Sequence, residues 1–345
     1  MSDMSEILNL VRTGRLGEAT QRIQRNLGTG GPEMRPEPDM KDVTPRACPI
    51  PSPGMSARGK ATRTKPARKP RATATGHPAG TTWARRQGPL PYRLSAPSAP
   101  DPRAPLLVML HGCTQTPEDF AAGTGMTHAA GAIGAHVIWP EQTRAANVNA
   151  CWNWFEPAHQ GRTGEAAAIV TVIEEVLSGL GPRAVHVAGL SAGGAMAALL
   201  GAFYPDIVTS VAIHSGLAPG SAQDVGSAFA AMQNGAPGRR ALAVPAIVFH
   251  GAADRTVTPA NAGALLNLGP ASDRQERREI IAGRRTTIRS GIRPGQSAPS
   301  EMWEIDGLGH AWSGGHPAGS YTDPKGPDAT AEMIRFFAGV APRDR

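Results

Sequence analysis

A serine hydroxyl attacks a carbonyl only when a neighbouring base takes its proton. The run Gly189-Leu190-Ser191-Ala192-Gly193 offers a serine in a setting where this can be arranged. Val185-His186-Val187-Ala188 before it reads as a strand, and the small residues from Ala192 to Phe203 read as a helix. A G-x-S-x-G between strand and helix is the pattern of a nucleophile elbow. The turn is tight, its flanking residues must be small, and the hydroxyl stands proud of the sheet at the positive end of the next helix. The plain alternative is a glycine-rich packing turn around a structural serine.

The base should be a histidine after the last strand, with an acid between it and the serine in the chain. His310, in Gly307-Leu308-Gly309-His310-Ala311-Trp312, has that position; His316, before Pro317, is the weaker candidate. The acid that orients the imidazole is assigned to Asp254, on the turn after the apolar run 246–249, with Asp306 as its rival. His111, His214 and His250 stand at strand ends and read as satisfied core histidines. A tetrahedral oxyanion needs donors. These are assigned to the backbone N–H of Ala192 and of Cys113, with Gln115 as a lesser contributor. Trp152, Trp154 and Trp312 are the candidates to touch substrate, with core packing the equal reading for the first two. Cys113 and Cys151 can pair in an oxidising compartment or sit as buried thiols in a reducing one; Cys48 is expected to be free.

These residues require a scaffold that brings several strand ends together. The apolar runs 106–110, 136–139, 185–188, 211–213, 246–249 and 302–305 read as strands, and 89–95 as an edge strand because proline is tolerated there. Thr116-Pro117-Glu118-Asp119 has the N-cap, N1 and N3 residues of a helix start, 164–179 carries a broad apolar stripe, and Asp328 caps a last helix to about Phe337. Strands alternating with helices predict an α/β fold with a mainly parallel sheet covered on both faces. Residues 215–243 and 267–298 read as long connections.

The chain has 345 residues and a net charge of +7, but the charge is unevenly placed. Residues 1–100 hold 17 Lys/Arg against 7 Asp/Glu, and residues 101–345 hold 18 against 21. The reading is therefore a short helical element over 1–30, a disordered Pro/Arg/Lys-rich linker over 31–81 and a catalytic domain over 82–345. The linker suits contact with anionic surfaces. It has no aromatics among its charges for base stacking, so no specific nucleic-acid binding is expected. No stretch reaches the roughly 18–20 apolar residues of a membrane span. No CxxC or His-rich spacing suggests a structural metal, and no cofactor is expected.

Six segments occur in an order that resembles the polyhydroxybutyrate-depolymerase family of esterases. They are 110–115 (Leu-His-Gly-Cys-Thr-Gln), 139–142 (Trp-Pro-Glu-Gln), 151–155 (Cys-Trp-Asn-Trp-Phe), 189–194 (Gly-Leu-Ser-Ala-Gly-Gly), 250–257 (His-Gly-Ala-Ala-Asp-Arg-Thr-Val) and 309–315 (Gly-His-Ala-Trp-Ser-Gly-Gly). The resemblance spans roughly residues 88–340. It implies an α/β-hydrolase fold, a triad of Ser191, Asp254 and His310, and short hydroxyacyl esters or polyesters as substrates. Feruloyl and acetylxylan esterases are similar in architecture and supply the alternative, with a peptidase behind them. The family is typically secreted, whereas the charged N-terminus reads as no signal peptide, which makes a cytoplasmic location the alternative.

Overall fold

The computed structural model describes residues 82–86, 88, 90–266, 268, 274–293, 296 and 298–340. The helical element expected over 1–30, the linker expected over 31–81 and Cys48 lie outside the described residues. No described helix is long and apolar enough to cross a membrane.

Continuous apolar runs become the centre of a ten-stranded sheet, because only a strand covered on both faces can bury every side chain. Five such strands lie side by side and parallel: β4 (His136–Pro140), β3 (Leu106–Leu110), β5 (Val185–Leu190), β6 (Ser210–His214) and β7 (Ala246–Gly251). All are buried throughout. β10 (Ser300–Ile305) continues the parallel set beside β7. The flanks are antiparallel: β1 (Thr82–Arg86) and β2 (Tyr92–Ala96) beyond β4, and β9 (Arg284–Gly291) and β8 (Gln275–Ile281) beyond β10.

Side chains of successive residues in a strand point to opposite faces, and two cores result. Leu106, Val108 and Leu110 pack with α3 (Gly164–Leu180) and α4 (Ala192–Phe203) through Ile169, Val172, Met196 and Leu199. Leu107 and Met109 face α1 (Pro117–Thr124), α2 (Met126–Ala132) and α7 (Ala329–Ala338) through Phe120, Met126, Met333 and Phe336. Each fully buried side chain of this size contributes roughly 1.5–3 kcal/mol. The expected helix starts are present. Thr116 accepts from the Asp119 N–H with Pro117 following, and Asp328 accepts from the Ala331 N–H.

Three expectations need correction. The segment expected as an edge strand at 89–95 forms β2, which lies inside the sheet because β1 covers it. The connection expected over 215–243 contains α5 (Val225–Asn234), started by a capping box in which Asp224 and Ser227 exchange hydrogen bonds. The connection expected over 267–298 contains the β8–β9 hairpin. Its tight turn uses positive φ at Ala282 (46°) and Gly283 (82°). β8 is nearly all exposed and reads Gln-Glu-Arg-Arg-Glu, so it carries no apolar alternation to announce it. A short helix α6 (Ala260–Leu265) follows β7, and β11 (Trp312–Ser313) pairs with β12 (Thr322–Asp323) after β10.

Parallel strands place all their C-terminal ends on one edge of the sheet, where ligands bind in open α/β folds. Register holds these ends level: Leu110 pairs with Gly189, Leu190 with His214, His214 with Phe249 and Ile305 with Gly251. At this edge α4 meets β3 so closely that a Cβ on Gly193 would stand 2.1 Å from the Leu110 carbonyl oxygen. Gly179 in α3, by contrast, has open space around it. Gly193→Ala is expected to cost about 3 kcal/mol or more, while Gly179→Ala gains roughly 0.4–1 kcal/mol. Thermal unfolding checks both; a Gly193→Ala protein as stable as the parent contradicts the packing described.

Candidate active site

Ser191 occupies the turn between β5 and α4 with φ 57° and ψ −119°. This backbone conformation is rare for a residue with a Cβ. It is fixed on both sides: the Ser191 N–H donates to the His214 carbonyl at 2.9 Å, and its carbonyl accepts from the Ala195 N–H at 2.9 Å. The turn closes only because the residues two before and two after Ser191 are glycines. A Cβ on Gly189 would lie 2.3 Å from the Gly193 backbone. The elbow expected from G-x-S-x-G is thus present in its geometry.

Asp254 lies on the loop after β7 and is buried. One carboxylate oxygen accepts from the N–H groups of Thr256 and Val257, both at 2.9 Å. The other accepts from His310 Nδ1 at 2.8 Å. Burial pushes this carboxyl upward, but the His310 hydrogen bond and charge and the two N–H groups outweigh it and hold it below the usual aspartate value. With Nδ1–H given to the carboxylate, Nε2 of His310 keeps its lone pair and can act as a base. Asp306, the rival acid, faces Arg285 at 3.9 Å with its side chain half exposed. His316 is exposed and accepts from the Ala318 N–H.

Backbone hydrogen bonds tie the histidine loop to the sheet edge. The Ala252 N–H donates to Ile305 and the Ala253 N–H to Leu308. Gly251 makes room: a Cβ there would stand 2.2 Å from the Leu308 oxygen. Below the loop, buried His214 accepts from the Ser313 N–H at 3.1 Å through Nε2 and stacks on Trp312 and Phe249. Burial, with lesser repulsion from His250 and His310, pulls His214 down to about 3. His111 is likewise satisfied, Nδ1 against the Gly112 carbonyl and Nε2 accepting from the Gln142 N–H. His250 donates Nε2–H to the Val257 carbonyl at 2.8 Å and keeps Asp254 at 3.6 Å.

Facing Ser191 is the loop after β3. Gly112 packs against it, its Cβ direction ending 3.6 Å from Ser191 Cβ. Cys113 and Cys151 form a disulfide, which ties this loop to the one after β4. Closing a loop of 38 residues is worth about 3–4 kcal/mol on the chain-entropy account. Among the described residues the N–H groups of Cys113 and Ala192 have no protein acceptor, so both remain available to an anionic oxygen. Gln115 is different. Its oxygen accepts from the Gly112 N–H, its amide donates to Asp119 and to the Ser320 carbonyl, and its own N–H points to Gly112. It braces the loop and has no donor left for an oxyanion.

The three tryptophans expected to touch substrate are buried. Trp152 donates to the His111 carbonyl, Trp154 packs edge-on to Phe155, and Trp312 donates to Thr330 Oγ1 while meeting Phe120 edge-on. Their rings fill the space under the loops, and the indole N–H groups of Trp152 and Trp312 find acceptors there. A cluster around Glu165 was not read from sequence. This buried carboxylate accepts from Gln142 Nε2 at 2.6 Å, the Asn153 N–H at 2.7 Å and Asn153 Nδ2 at 2.6 Å, and so fixes the Cys151 loop. Its members are scattered along the chain, and only the quoted segments 139–142 and 151–155 marked two of them. Among the described residues no three His, Cys, Asp or Glu side chains gather as a metal site.

The sheet order and elbow define an α/β-hydrolase fold. The chain belongs to the esterase PHB depolymerase family, whose sequence profile matches residues 90–268. Poly(3-hydroxyalkanoate) depolymerase C of Paucimonas lemoignei is 34% identical over 187 residues, which cover 48% of this chain and 44% of that protein. Feruloyl esterase B of Thermothelomyces thermophilus is 32% identical over 137 residues, 38% of this chain and 46% of that protein. The chain thus spans under half the length of either relative. Acetyl xylan esterase from Aspergillus awamori shares the fold with a TM-score of 0.57 at 16% identity, over 75% of this chain and 100% of that one.

A histidine buried neutral binds its proton only after unfolding, so stability falls as pH drops from the unfolded value of 6.5 toward the folded value of about 3. His214 should contribute about 1.4 kcal/mol per pH unit in that window. His214→Gln keeps an acceptor for the Ser313 N–H and should flatten the slope by that amount. Urea unfolding between pH 4 and 7 checks it; an unchanged slope contradicts the neutral buried state.

Proposed function

We propose that this protein is a serine carboxylic-ester hydrolase working through an acyl-enzyme. The observation that carries the reading is the 2.8 Å bond from His310 Nδ1 to buried Asp254, which leaves the Nε2 lone pair free to act as a base. In the proposed cycle Nε2 takes the Ser191 proton as Oγ attacks the ester carbonyl. The resulting oxyanion is held by the N–H groups of Cys113 and Ala192. His310 then gives the proton to the departing alcohol, and the acyl group stays on Ser191. Water enters, His310 takes its proton, and a second tetrahedral collapse frees the acid and the serine. Asp254 keeps the ring in the required tautomer and balances the imidazolium; it does not itself accept the proton.

For substrate, we favour short hydroxyacyl esters or oligomers of the polyhydroxybutyrate type. Family membership and the 34% identity to a poly(3-hydroxyalkanoate) depolymerase support this choice. The 32% identity to a feruloyl esterase supports an aryl ester as the second reading. The Cys113–Cys151 disulfide supports an oxidising compartment.

Ser191→Ala is expected to lower kcat/KM for p-nitrophenyl butyrate by roughly 10⁴-fold or more, and Asp254→Asn by up to about 10⁴-fold through the wrong tautomer. Circular dichroism should show the fold intact in both. The variant combining Ser191→Ala with His310→Ala should be little worse than either single one, since the groups act as a unit. A Ser191→Ala enzyme with a tenth of the parent rate would refute the reading. Parallel rates on hydroxybutyrate oligomers and feruloyl esters decide between the substrates.

A further inference from the structure

Tyr321 takes no part in the proposed cycle, yet it stands against its base. Its ring is edge-on to His310, with centroids 6.4 Å apart, and it is 45% exposed. Its hydroxyl lies 3.3 Å from Thr114 Oγ1, across 207 positions of chain. Thr114 follows Cys113, so this contact joins the histidine side of the edge to the oxyanion side. Both residues have positive φ, 53° at Tyr321 and 65° at Thr114. Side chains with a Cβ avoid that region.

The surroundings hold both in place. The Tyr321 carbonyl accepts from the Trp312 N–H at 2.7 Å, and the Thr114 N–H donates to the Asn149 carbonyl at 2.6 Å. Thr322 pairs in register with Trp312, and its hydroxyl donates to the carbonyls of His316 and Gly319. Ser320 donates to Asp119, and Gln115 reaches the Ser320 carbonyl from the opposite loop. Strained residues fixed this firmly cluster at ligand clamps and active sites.

Two hydroxyls carry two protons, and the bond between them uses one. Among the described residues neither oxygen has another partner, so one O–H is left for an acceptor from outside. We infer that Thr114 and Tyr321 form a substrate subsite on the alcohol side of the scissile ester, their spare O–H donating to an acceptor oxygen and the Tyr321 ring forming the wall beside it. The side follows from chemistry: His310 hands its proton to the departing alcohol, so whatever adjoins His310 adjoins that alcohol. The subsite suits an alcohol that carries its own carbonyl a few bonds away, as in a chain of hydroxyacyl units. A plain aryl or alkyl alcohol gives it nothing to bind. The inference rests on the ester-hydrolase reading above.

The test compares a 3-hydroxybutyrate trimer ester with p-nitrophenyl butyrate, using full-length wild type, Tyr321→Phe, Thr114→Val and the variant carrying both substitutions. Each single variant keeps one hydroxyl whose O–H is then unused and can still donate, so the ratio of the two kcat/KM values should fall about 5-fold only when both hydroxyls are removed. The loss should appear in KM for the trimer, with kcat held within about twofold. The singles should fall less than the double variant, because either hydroxyl alone can still make the bond to substrate. Activity on the nitrophenyl ester reports that each variant is folded. An unchanged ratio in the double variant overturns the inference and leaves the ester-hydrolase reading standing. So does a wild type that cleaves the nitrophenyl ester but not the trimer. A wild type that cleaves neither overturns the underlying reading and the subsite with it.

Discussion

The backbone of Ser191, held at φ 57° and ψ −119°, is a conformation that costs of order 1–3 kcal/mol and survives only where the surroundings determine it. Much of the fold can be understood as what that requires. β5 must be buried on both faces so that its end is rigid, and α4 must begin at once so that its first N–H groups point at the serine. Gly189 and Gly193 must lack side chains because each faces backbone at less than 2.4 Å from where a Cβ would stand. The two apolar cores on either side of the sheet supply the stability against which this local cost is small.

The second requirement is that the imidazole proposed as the base be oriented and near the edge without being wholly buried. His310 keeps a partly exposed ring while Asp254 beneath it is almost wholly enclosed. The carboxylate stays ionised there because its oxygens are met by His310 and by two backbone N–H groups. Beneath the loop lies a layer of neutral histidine and aromatic rings. His214 serves there as an acceptor for the loop backbone and as a flat surface against Trp312. On the opposite side the Cys113–Cys151 bridge, Gln115 and the Glu165 cluster brace the loops whose backbone N–H is proposed to meet the oxyanion. Preorganised donors of this kind stabilise developing charge without reorganising during the reaction.

The parts legible in sequence were those with a short-range signature. Strand–turn–helix around Ser191, the caps at Thr116 and Asp328, and the order of acid and histidine along the chain each follow from local chemistry. Three kinds of feature were not legible. β8 is exposed and charged, so no apolar alternation marks it, and its turn residue Ala282 is not one that positive φ usually selects. The tryptophans advertised themselves by rarity, but aromatic area is as useful under a loop as on it, and burial decided for the former. Gln115, Glu165 and Tyr321 act through partners up to 205–207 positions away or through scattered polar contacts, and a single sequence carries no periodicity for such pairs.

Ser191 Oγ, and no other hydroxyl, is proposed to become acylated. Reaction of the native protein with a fluorophosphonate, followed by proteolysis and mass spectrometry, tests it directly. One adduct per chain is expected, on the peptide containing Ser191, formed in step with loss of esterase activity and absent from His310→Ala on the same timescale. An adduct on another residue that tracks the loss of activity, or full inactivation with Ser191 unmodified, would contradict it.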